Sequence, residues 1–400
     1  MNFTELVTSN GLFCDGDWIE KKDQDPNGNV RLIQLADIGV CEFKDKSNRF
    51  VTESKAEELH CTYLRKGDIL IARLPDPLGR ACIFPFEGKY ITAVDVAVVR
   101  IARDDVNPKY VMYMINSGGF RAEIKKYESG TTRKRISRKN LDKIEFELPS
   151  LTAQNRIVAR IEELFSELDN GVETLRKTKQ QLAVYRQAVI SAAFPEMTDE
   201  NTVRLDEIAD ISGGITKGRD LSKQETVHLP YLRVANVQNG YLDLSQMKTI
   251  ELKVIEKEKY LLRSGDVLYT EGGDRDKLGR GTVWNDEIPN CVHQNHVFKA
   301  RLDLKKANPR YVAYWSMSAF ARNYFYNKGK QSVNLASINK TVLSALTLPL
   351  PSLPEQEATL REIESRLSVC DSIEKTVDTA LQQAEAMRQS ILKKAFEGRL

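Results

Sequence analysis

Leu148-Pro-Ser-Leu-Thr-Ala-Gln154 recurs 202 residues later as Leu350-Pro-Ser-Leu-Pro-Glu-Gln356. The offset then holds without a gap until Ala193-Phe194 falls on Ala395-Phe396. Because so many identities keep one constant spacing, coincidence is excluded. The chain therefore contains an internal repeat, which has to be recognised before any single element is assigned.

The repeat continues upstream with small changes in spacing. Three short motifs occur twice: Gly67-Asp-Ile-Leu70 and Gly265-Asp-Val-Leu268, Leu78-Gly-Arg80 and Leu278-Gly-Arg280, and Asn107-Pro-Lys-Tyr110 and Asn308-Pro-Arg-Tyr311. Loops of different length within one fold produce such drift. We find no counterpart for the first dozen residues. The sequence predicts four segments: a globular unit at 1–147, a long helix at 148–197, a second globular unit at 198–349 and a second long helix at 350–400.

The segments that follow the globular units have the pattern of long paired helices. Between Thr152 and Phe194 there is no proline, and apolar residues recur every seven positions at Ile161, Leu168, Leu175, Leu182 and Val189. The copy places Ile363, Cys370, Val377, Ala384 and Ile391 at the matching positions. A heptad stripe buries one side of a helix against a partner helix. At 1.5 Å per residue, each helix of about 43 residues spans about 64 Å.

Short runs of β-branched residues bounded by Gly, Asp or Pro predict strands in the globular units. They are 31–38, 69–73, 93–101, 267–270 and 297–302. The predicted fold class is α+β: two mixed α/β domains separated by a pair of long antiparallel coiled-coil helices, with a pseudo-two-fold internal repeat.

Composition limits the class of protein. The chain has 400 residues, of which 41% are hydrophobic and 29% are charged, so it has enough apolar material for buried cores. No stretch approaches the roughly 18 uninterrupted apolar residues of a membrane span, and the first residues lack the pattern of a secretory signal. The six cysteines form no C-x-x-C pair, which argues against a zinc site and a disulfide framework. We expect a cytoplasmic protein with no membrane partner.

Local charge predicts a nucleic-acid interface that the formal net charge of +3 does not. Residues 125–143 hold eight basic and two acidic residues, and residues 322–340 hold four basic and no acidic ones. Lysine and arginine gain affinity for DNA by displacing counterions from phosphates, and polar side chains reach base edges. The alternative is a solvated basic loop. From these two segments we take as candidate DNA-binding residues Arg133, Lys134, Arg135, Arg138, Lys139, Lys328, Lys330, Gln331 and Asn334.

A second candidate segment precedes these basic loops in each unit. Residues 270–280 read Thr-Glu-Gly-Gly-Asp-Arg-Asp-Lys-Leu-Gly-Arg, and residues 73–80 match them in part. The segment is neither a Walker loop nor a calcium loop, since the required spacing is absent. Two interpretations of the segment stay open: a loop that faces DNA, and a turn without a binding role. The DNA-binding candidates here are Arg80, Arg275, Lys277 and Arg280.

Enzymatic interpretations find little support. Asn107-Pro-Lys-Tyr110 and its copy lack the second proline of the Asn-Pro-Pro-Tyr/Phe signature of amino-methyltransferases, so they are better interpreted as a proline at a helix start. Glu-x-Lys triplets, as at Glu42-Phe-Lys44, arise freely in so charged a chain. His293-Gln-Asn-His296 has no carboxylate or cysteine at ligand spacing and fits base-reading residues as well as metal ligands. We predict no catalytic residue and no metal site.

Two variable units, each followed by a helix that begins Leu-Pro-x-Leu-x-x-Gln and ends Arg-Gln-x-hydrophobic-x-x-x-Ala-Phe, resemble the specificity subunit of type I restriction-modification enzymes. The resemblance rests on residues 148–154 with 186–194, and on residues 350–356 with 388–398. The resemblance implies two target recognition domains that read the two halves of a split double-stranded DNA sequence around an unread spacer. It also implies two methylation subunits, and restriction subunits in the full enzyme. S-adenosylmethionine, ATP and Mg²⁺ are then expected on those partners, and no cofactor on this chain.

Two other functions stay open at this point. One is a standalone DNA methyltransferase or nuclease fragment, against which the missing catalytic motifs count. The other is a coiled-coil scaffold without a DNA partner, which salt-sensitive binding to duplex DNA would exclude. Because the two recognition loops differ in sequence, the resemblance further implies that the two half-sites differ.

Overall fold

A computed structural model describes residues 1–7, 10–75, 77–221, 224–331 and 335–400, without the side chains of Asp276 and Gln331. The chain divides into two compact units, and each takes one part of both long helices. Unit 1 comprises Met1–Leu175 with Thr379–Leu400, and unit 2 comprises Arg176–Asp378.

Unit 1 is built on a four-stranded antiparallel sheet in the order β1-β7-β4-β5. A smaller sheet, β3-β2-β6, pairs β2 with β6 in parallel. The elements of the unit are α1 (Phe3–Leu6), β1 (Leu12–Asp15), β2 (Val30–Ile33), β3 (Phe50–Val51), α2 (Glu53–Glu58), β4 (Ile69–Ala72), β5 (Ala81–Ile83), β6 (Tyr90–Thr92), β7 (Val96–Arg100), α3 (Pro108–Asn116), α4 (Gly118–Lys126), α5 (Arg138–Leu141), the first part of α6 (Leu151–Ala192) and the last part of α11 (Leu353–Phe396).

Unit 2 repeats this plan with the antiparallel sheet β14-β12-β16-β9 and the smaller sheet β11-β10-β15. Two further small sheets are β13-β18-β17 and β19-β8. Its elements are the last part of α6, β8 (Thr202–Arg204), β9 (Ala209–Gly213), β10 (Thr226–Leu232), β11 (Lys248–Lys253), α7 (Lys257–Tyr260), β12 (Val267–Thr270), β13 (Gly272–Gly273), β14 (Gly281–Val283), β15 (Val292–His293), β16 (Val297–Leu302), α8 (Pro309–Ser316), α9 (Ala319–Lys328), β17 (Lys330–Gln331), β18 (Ala336–Ser337), α10 (Lys340–Ser344), β19 (Thr347–Pro349) and the first part of α11.

The inner strands β4 and β7 of the main sheet are buried on both faces, which is why they are nearly continuous apolar runs. In β4, Ile69 and Ile71 pack toward α3, while Leu70 and Ala72 pack into a second cluster with Phe84. The strands predicted at 267–270 and 297–302 are confirmed, and 69–73 ends one residue earlier. The predicted strands 31–38 and 93–101 are shorter than expected, because each contains a turn.

The prediction that the first dozen residues have no counterpart is wrong. Phe3 and Leu6 of α1 are fully buried in the core of unit 1. The Phe146 amide donates to the Met1 carbonyl at 2.9 Å, at the place where Leu348 of β19 pairs with Val203 of β8 in unit 2. The backbone pairing repeats although the sequence does not, and so sequence similarity alone does not reveal this part of the repeat.

The aspartate of each Gly-Asp motif ties two strands together. Asp68 is buried and accepts two hydrogen bonds from the Arg100 guanidinium, at 2.8 and 2.7 Å. Asp266 and Arg301 repeat the same pair at 2.8 and 2.7 Å. A buried charge is tolerated when it is paired and hydrogen-bonded in this way. The motif therefore has a structural role in both units.

The glutamine that ends each Leu-Pro-Ser-Leu motif joins the long helix to its own globular unit. The Gln154 Oε1 accepts from the Asn107 amide at 2.8 Å, and its Nε2 donates to the Asp105 and Pro149 carbonyls. Gln356 makes the three matching bonds, with the Asn308 amide at 2.8 Å. Both glutamines are fully buried. The repeated motif thus fixes where each helix leaves its unit.

The heptad prediction for the helices is confirmed. All five heptad residues of α11 are buried, as are Ile161, Leu182 and Val189 of α6, while Leu168 and Leu175 are half-buried. In unit 1, Asp169 forms an ion pair with Arg388. In unit 2, Lys179 pairs with Asp378 at 2.7 Å and Arg186 with Asp371 at 2.6 Å. In unit 2 the residue numbers rise on one helix as they fall on the other, so the pairing there is antiparallel.

A search of the described residues for a membrane-crossing helix finds none that is both long enough and apolar enough.

Candidate nucleic-acid interface

The basic loop of unit 1 is a closed turn that points its charges outward. Ser129 and Arg135 exchange two backbone hydrogen bonds at 2.9 and 2.8 Å, and Gly130 adopts a φ of 96° between them. A Cβ at Gly130 would lie 2.4 Å from the Arg133 carbonyl, so glycine is required at this turn. Residues 129–135 are all exposed. The loop therefore holds three consecutive basic residues, 133–135, on a defined backbone.

The basic side chains of this loop differ in how far they are already paired. Lys134 forms an ion pair with Glu128 at 2.7 Å. Within the described ranges, no carboxylate lies at ion-pairing distance from Arg133, Arg135 or Lys139. These three cations are the ones that an incoming phosphate meets without first displacing a carboxylate.

Arg138 lies where the loop enters α5 and is shared with β1. Its guanidinium lies 5.5 Å from the centre of the Phe13 ring, and its Nε is 3.5 Å from Asp15 Oδ2. Asp15 also pairs with Arg73 Nη1 at 3.2 Å, so one carboxylate bridges two arginines. Arg138 is nonetheless 42% exposed along its side chain. It can therefore contact a ligand while its position stays fixed.

In unit 2 the matching loop lies in a small sheet. Lys330 of β17 pairs with Ser337 of β18, which in turn pairs with Gly272 of β13. Lys328, at the end of α9, and Lys330 are exposed. Asn334 and the side chain of Gln331 lie outside the described residues. β13 lies in the segment 270–280, called the 270s segment below. The pairing therefore brings the 270s segment and the basic loop of unit 2 together.

The basic residues of the 270s segment are held by neighbours. The Arg275 guanidinium lies 4.4 Å from the centre of the Tyr326 ring, and its Nε donates to the Tyr326 carbonyl at 3.1 Å. Lys277 forms an ion pair with Asp274. Arg280 donates to Gln238 Oε1 at 2.9 Å. A stacked arginine is pre-organised for bidentate contacts, which makes Arg275 the strongest candidate of the three.

Arg80 has a different environment from its copy Arg280. It is 7% exposed, and its guanidinium donates to four backbone carbonyls at 2.7–3.1 Å, those of Ile38, Leu74, Pro77 and Leu35. This pattern satisfies a buried guanidinium with internal acceptors. Arg80 therefore braces the turn between β4 and β5 instead of presenting its charge to a ligand, in contrast to the role expected from the sequence.

The two histidines of His293-Gln-Asn-His296 have separate roles. His293 is fully buried in β15, its Nδ1 lies 2.7 Å from the Val297 carbonyl, and burial lowers its pKa to about 4. His296 is 53% exposed, and its Nδ1 lies 2.6 Å from Glu271 Oε2. Sequence reasoning missed Glu271 because it looked for ligand spacing along the chain. Among the described residues, no group of three His, Cys, Asp or Glu side chains could hold a metal ion.

The two Asn-Pro motifs begin helices, as the sequence predicted. The Asn107 side chain accepts from the Lys109 amide at 2.9 Å, and Pro108 is the first residue of α3. Asn308 caps α8 in the same way. Both asparagines are therefore helix caps in this structure.

Comparison with known proteins gives a consistent family. The model for the type I restriction modification DNA specificity domain matches residues 9–182 and again 197–383. The type I restriction enzyme StySPI specificity subunit of Salmonella potsdam is 28% identical over 310 residues, 74% of this chain and 66% of that protein. The EcoKI specificity subunit of Escherichia coli (strain K12) is 26% identical over 303 residues, 73% and 65% of the two chains. The match thus spans just under two thirds of both relatives.

Solved structures show the same fold. One chain, from a study of complex assembly and conformational transition of the type I R-M system, superposes with a TM-score of 0.67 over 98% of this chain and 99% of its own, at 17% identity. The HsdS subunit from Thermoanaerobacter tengcongensis gives a TM-score of 0.52 over 98% of each chain, at 16% identity. At these identities the likeness concerns the fold.

Proposed function

This chain belongs to the type I restriction-modification DNA specificity family, and on that basis we propose that it is the DNA-reading subunit of such an enzyme. Each globular unit reads one half of a split, asymmetric duplex sequence. This assignment is supported by the comparison of the two units, which share a backbone framework but carry different side chains in their basic loops. The Asp68 and Asp266 pairs and the Gln154 and Gln356 joints are the same in both units, whereas the loops at 129–135 and 330–337 share few residues.

The observation that carries the proposal is the exposed basic loop of unit 1. Arg133 and Arg135 lie on a closed turn, exposed to solvent. Cations held in this way contribute counterion release on binding a phosphate backbone. Neighbouring polar groups are then available to read base edges.

The long helices are the proposed docking surface for two methylation subunits, with restriction subunits joining in the full enzyme. In unit 2 these helices expose several apolar side chains: Val184 is 71% exposed and Val369 58%. The antiparallel register set by the Arg186–Asp371 pair places Val184 level with Ile373, which is 40% exposed. Apolar side chains grouped on a surface mark sites of protein association.

We further propose that this chain is not catalytic and acts in the cytoplasm. S-adenosylmethionine, ATP and Mg²⁺ would be bound by the partner subunits, which would supply the methyl-transfer and cleavage chemistry. Methyl transfer to DNA by the highly purified chain alone would overturn this part of the proposal.

The DNA-binding proposal is tested by removing two charges from the loop. The variant carries Arg133→Ala and Arg135→Ala, and a matched control carries Arg49→Ala and Arg65→Ala, two exposed arginines of unit 1 outside the loop and the long helices. The chain is purified with the subunits that accompany it from its native host, and duplex affinity is measured from 50 to 200 mM salt. We expect the slope of log K against log salt to fall by up to about 2 in the loop variant, and to stay unchanged in the control.

If the loop variant kept the wild-type slope, the contact surface would have to lie elsewhere. If the unmodified protein bound duplex DNA with no dependence on salt, the proposal itself would fail.

A further inference from the structure

One backbone position is held in the same way in both units. In unit 1 the Arg73 amide donates to the Asp95 carbonyl at 2.9 Å, and the Arg73 carbonyl accepts from the Ile136 amide at 3.1 Å. In unit 2 the Glu271 amide donates to the His296 carbonyl at 3.0 Å, and the Glu271 carbonyl accepts from the Ile338 amide at 2.8 Å.

This position lies where three segments meet. It directly follows the second strand of the main sheet, which is β4 in unit 1 and β12 in unit 2. Its first hydrogen bond reaches the turn before the neighbouring strand of the sheet, β7 in unit 1 and β16 in unit 2, and its second reaches the residue that ends the basic loop. A side chain at such a place is carried by a rigid element and lies beside the loop proposed to contact DNA.

The side chains at this position have opposite charge. Arg73 is 14% exposed along its side chain, pairs with Asp15 and donates from Nη2 to the Val94 carbonyl at 2.5 Å. Glu271 is 27% exposed and is held by His296 at 2.6 Å. Gly213 occupies in β9 the place that Asp15 occupies in β1. Each faces the second residue of the neighbouring strand in the sheet, β16 or β7. The cluster of unit 1 is therefore absent from this place in unit 2.

Glu271 keeps one carboxylate oxygen for a ligand. Its Oε2 is bonded to His296, while Oε1 has no hydrogen-bond partner among the described residues. A carboxylate beside a surface that attracts phosphate weakens non-specific binding, because like charges repel. The contact of the carboxylate with DNA becomes favourable where a hydrogen-bond donor of a base points at the free oxygen. In the major groove these donors are the amino groups at cytosine N4 and adenine N6.

We propose that Glu271, positioned by His296, reads one base in the half-site of unit 2 by accepting a hydrogen bond from the exocyclic amino group of cytosine or adenine. The proposal rests on the proposed function. Guanine at the same place presents O6 and N7, which are acceptors, so the carboxylate rejects it. The matching position of unit 1 carries Arg73 balanced by Asp15, and the two half-sites are therefore read differently there.

The experiment selects sequences from a pool of randomised duplex DNA with the full chain and its co-purifying subunits. The variants are Glu271→Gln and Glu271→Arg. The control is Glu256→Gln, which changes a carboxylate of similar exposure, 26%, that is paired with Arg219 of the same unit. We expect Glu271→Gln to lose about tenfold in discrimination at one base pair of one half-site, and Glu271→Arg to favour guanine there. The control should select the wild-type sequence.

A Glu271 variant that selects the wild-type sequence with unchanged discrimination at every position would overturn the inference. So would a loss spread over both half-sites. In both cases the proposed function stands, because the unmodified protein still selects a split sequence; if the unmodified protein selects none, it is the proposed function that fails. His296→Gln provides a second variant, and we expect it to weaken the preference at the same base pair.

Discussion

At the scale of single residues, the two units keep the polar groups that hold the frame and change those beside it. Asp68 and Asp266 are buried and paired in the same way, although the units differ widely in sequence. A side chain with two or three internal partners cannot be replaced without leaving a buried group unsatisfied. Other buried positions differ between the units: Thr92 and His293 occupy matching places in β6 and β15.

His293 gives unit 2 a dependence of stability on pH that Thr92 cannot give unit 1. The folded pKa of about 4 lies below the ordinary value of 6.5, because burial disfavours the charged ring, with Lys299 and Arg301 acting in the same direction and Asp266 opposing. Between these pH values the unfolded chain binds more protons than the folded one. Stability is therefore complete above about pH 6.5 and is lost as the pH falls toward 4, by up to about 3 kcal/mol.

The measurement is urea unfolding at pH 7.5 and 5, followed by the fluorescence of Trp284 and Trp315, with His293→Thr as the comparison. The acid-dependent loss should be smaller in His293→Thr. Equal losses in both proteins would show that His293 does not cause it.

At the scale of elements, the long helices combine two kinds of surface. Residues at the heptad positions are buried or half-buried, and between them lie charged residues and a few exposed apolar ones. The seam buries the small residues Cys370 and Ala384 as well as larger ones. The pattern of burial, and not hydrophobicity alone, separates residues that stabilise the fold from residues available to a partner.

Two residues of α11 test this separation. Ile363 is fully buried in the core of unit 2, and Ile363→Ala is expected to cost about 2 to 5 kcal/mol of unfolding free energy, because it leaves a cavity. Val369, six residues further along the helix, is 58% exposed, and Val369→Ala is expected to cost less than about 0.5 kcal/mol of unfolding free energy. Urea unfolding of both variants measures the difference. Comparable losses would show that Val369 packs in the folded protein.

At the scale of the whole molecule, the proposed function predicts that the helices set the number of unread base pairs between the half-sites. Seven residues inserted after Lys177, together with seven after Thr379, keep the heptad stripe and the pairing of the two helices. They add about 10.5 Å of helix, against about 3.4 Å per base pair. The preferred spacer should therefore lengthen by about three base pairs, as sequence selection or mapping of methylated sites would show.

The half-sites themselves should stay unchanged in this variant, since both insertions lie at the boundary between the units and leave the interior of each intact. This serves as the internal control. A folded and active variant that kept the original spacer would show that the helices do not determine it.

The sequence by itself determined the repeat, the two helices and most of the main strands. These features are local or periodic: a heptad stripe is visible along one chain, and a repeated motif needs no knowledge of its neighbours. The buried role of Gln154 in joining helix to unit was not deduced, but its motif was recognised because it occurs twice.

Only the tertiary structure decided which polar residues face inward and which segments meet. Arg80 and Arg280 lie in the same motif, yet one is buried among carbonyls and the other is partly exposed. Glu271 and His296 are 25 residues apart and become partners because β12 and β16 are neighbours in the sheet. Burial and contact depend on the paths of several segments at once, and residue type and spacing along a single chain do not contain that information.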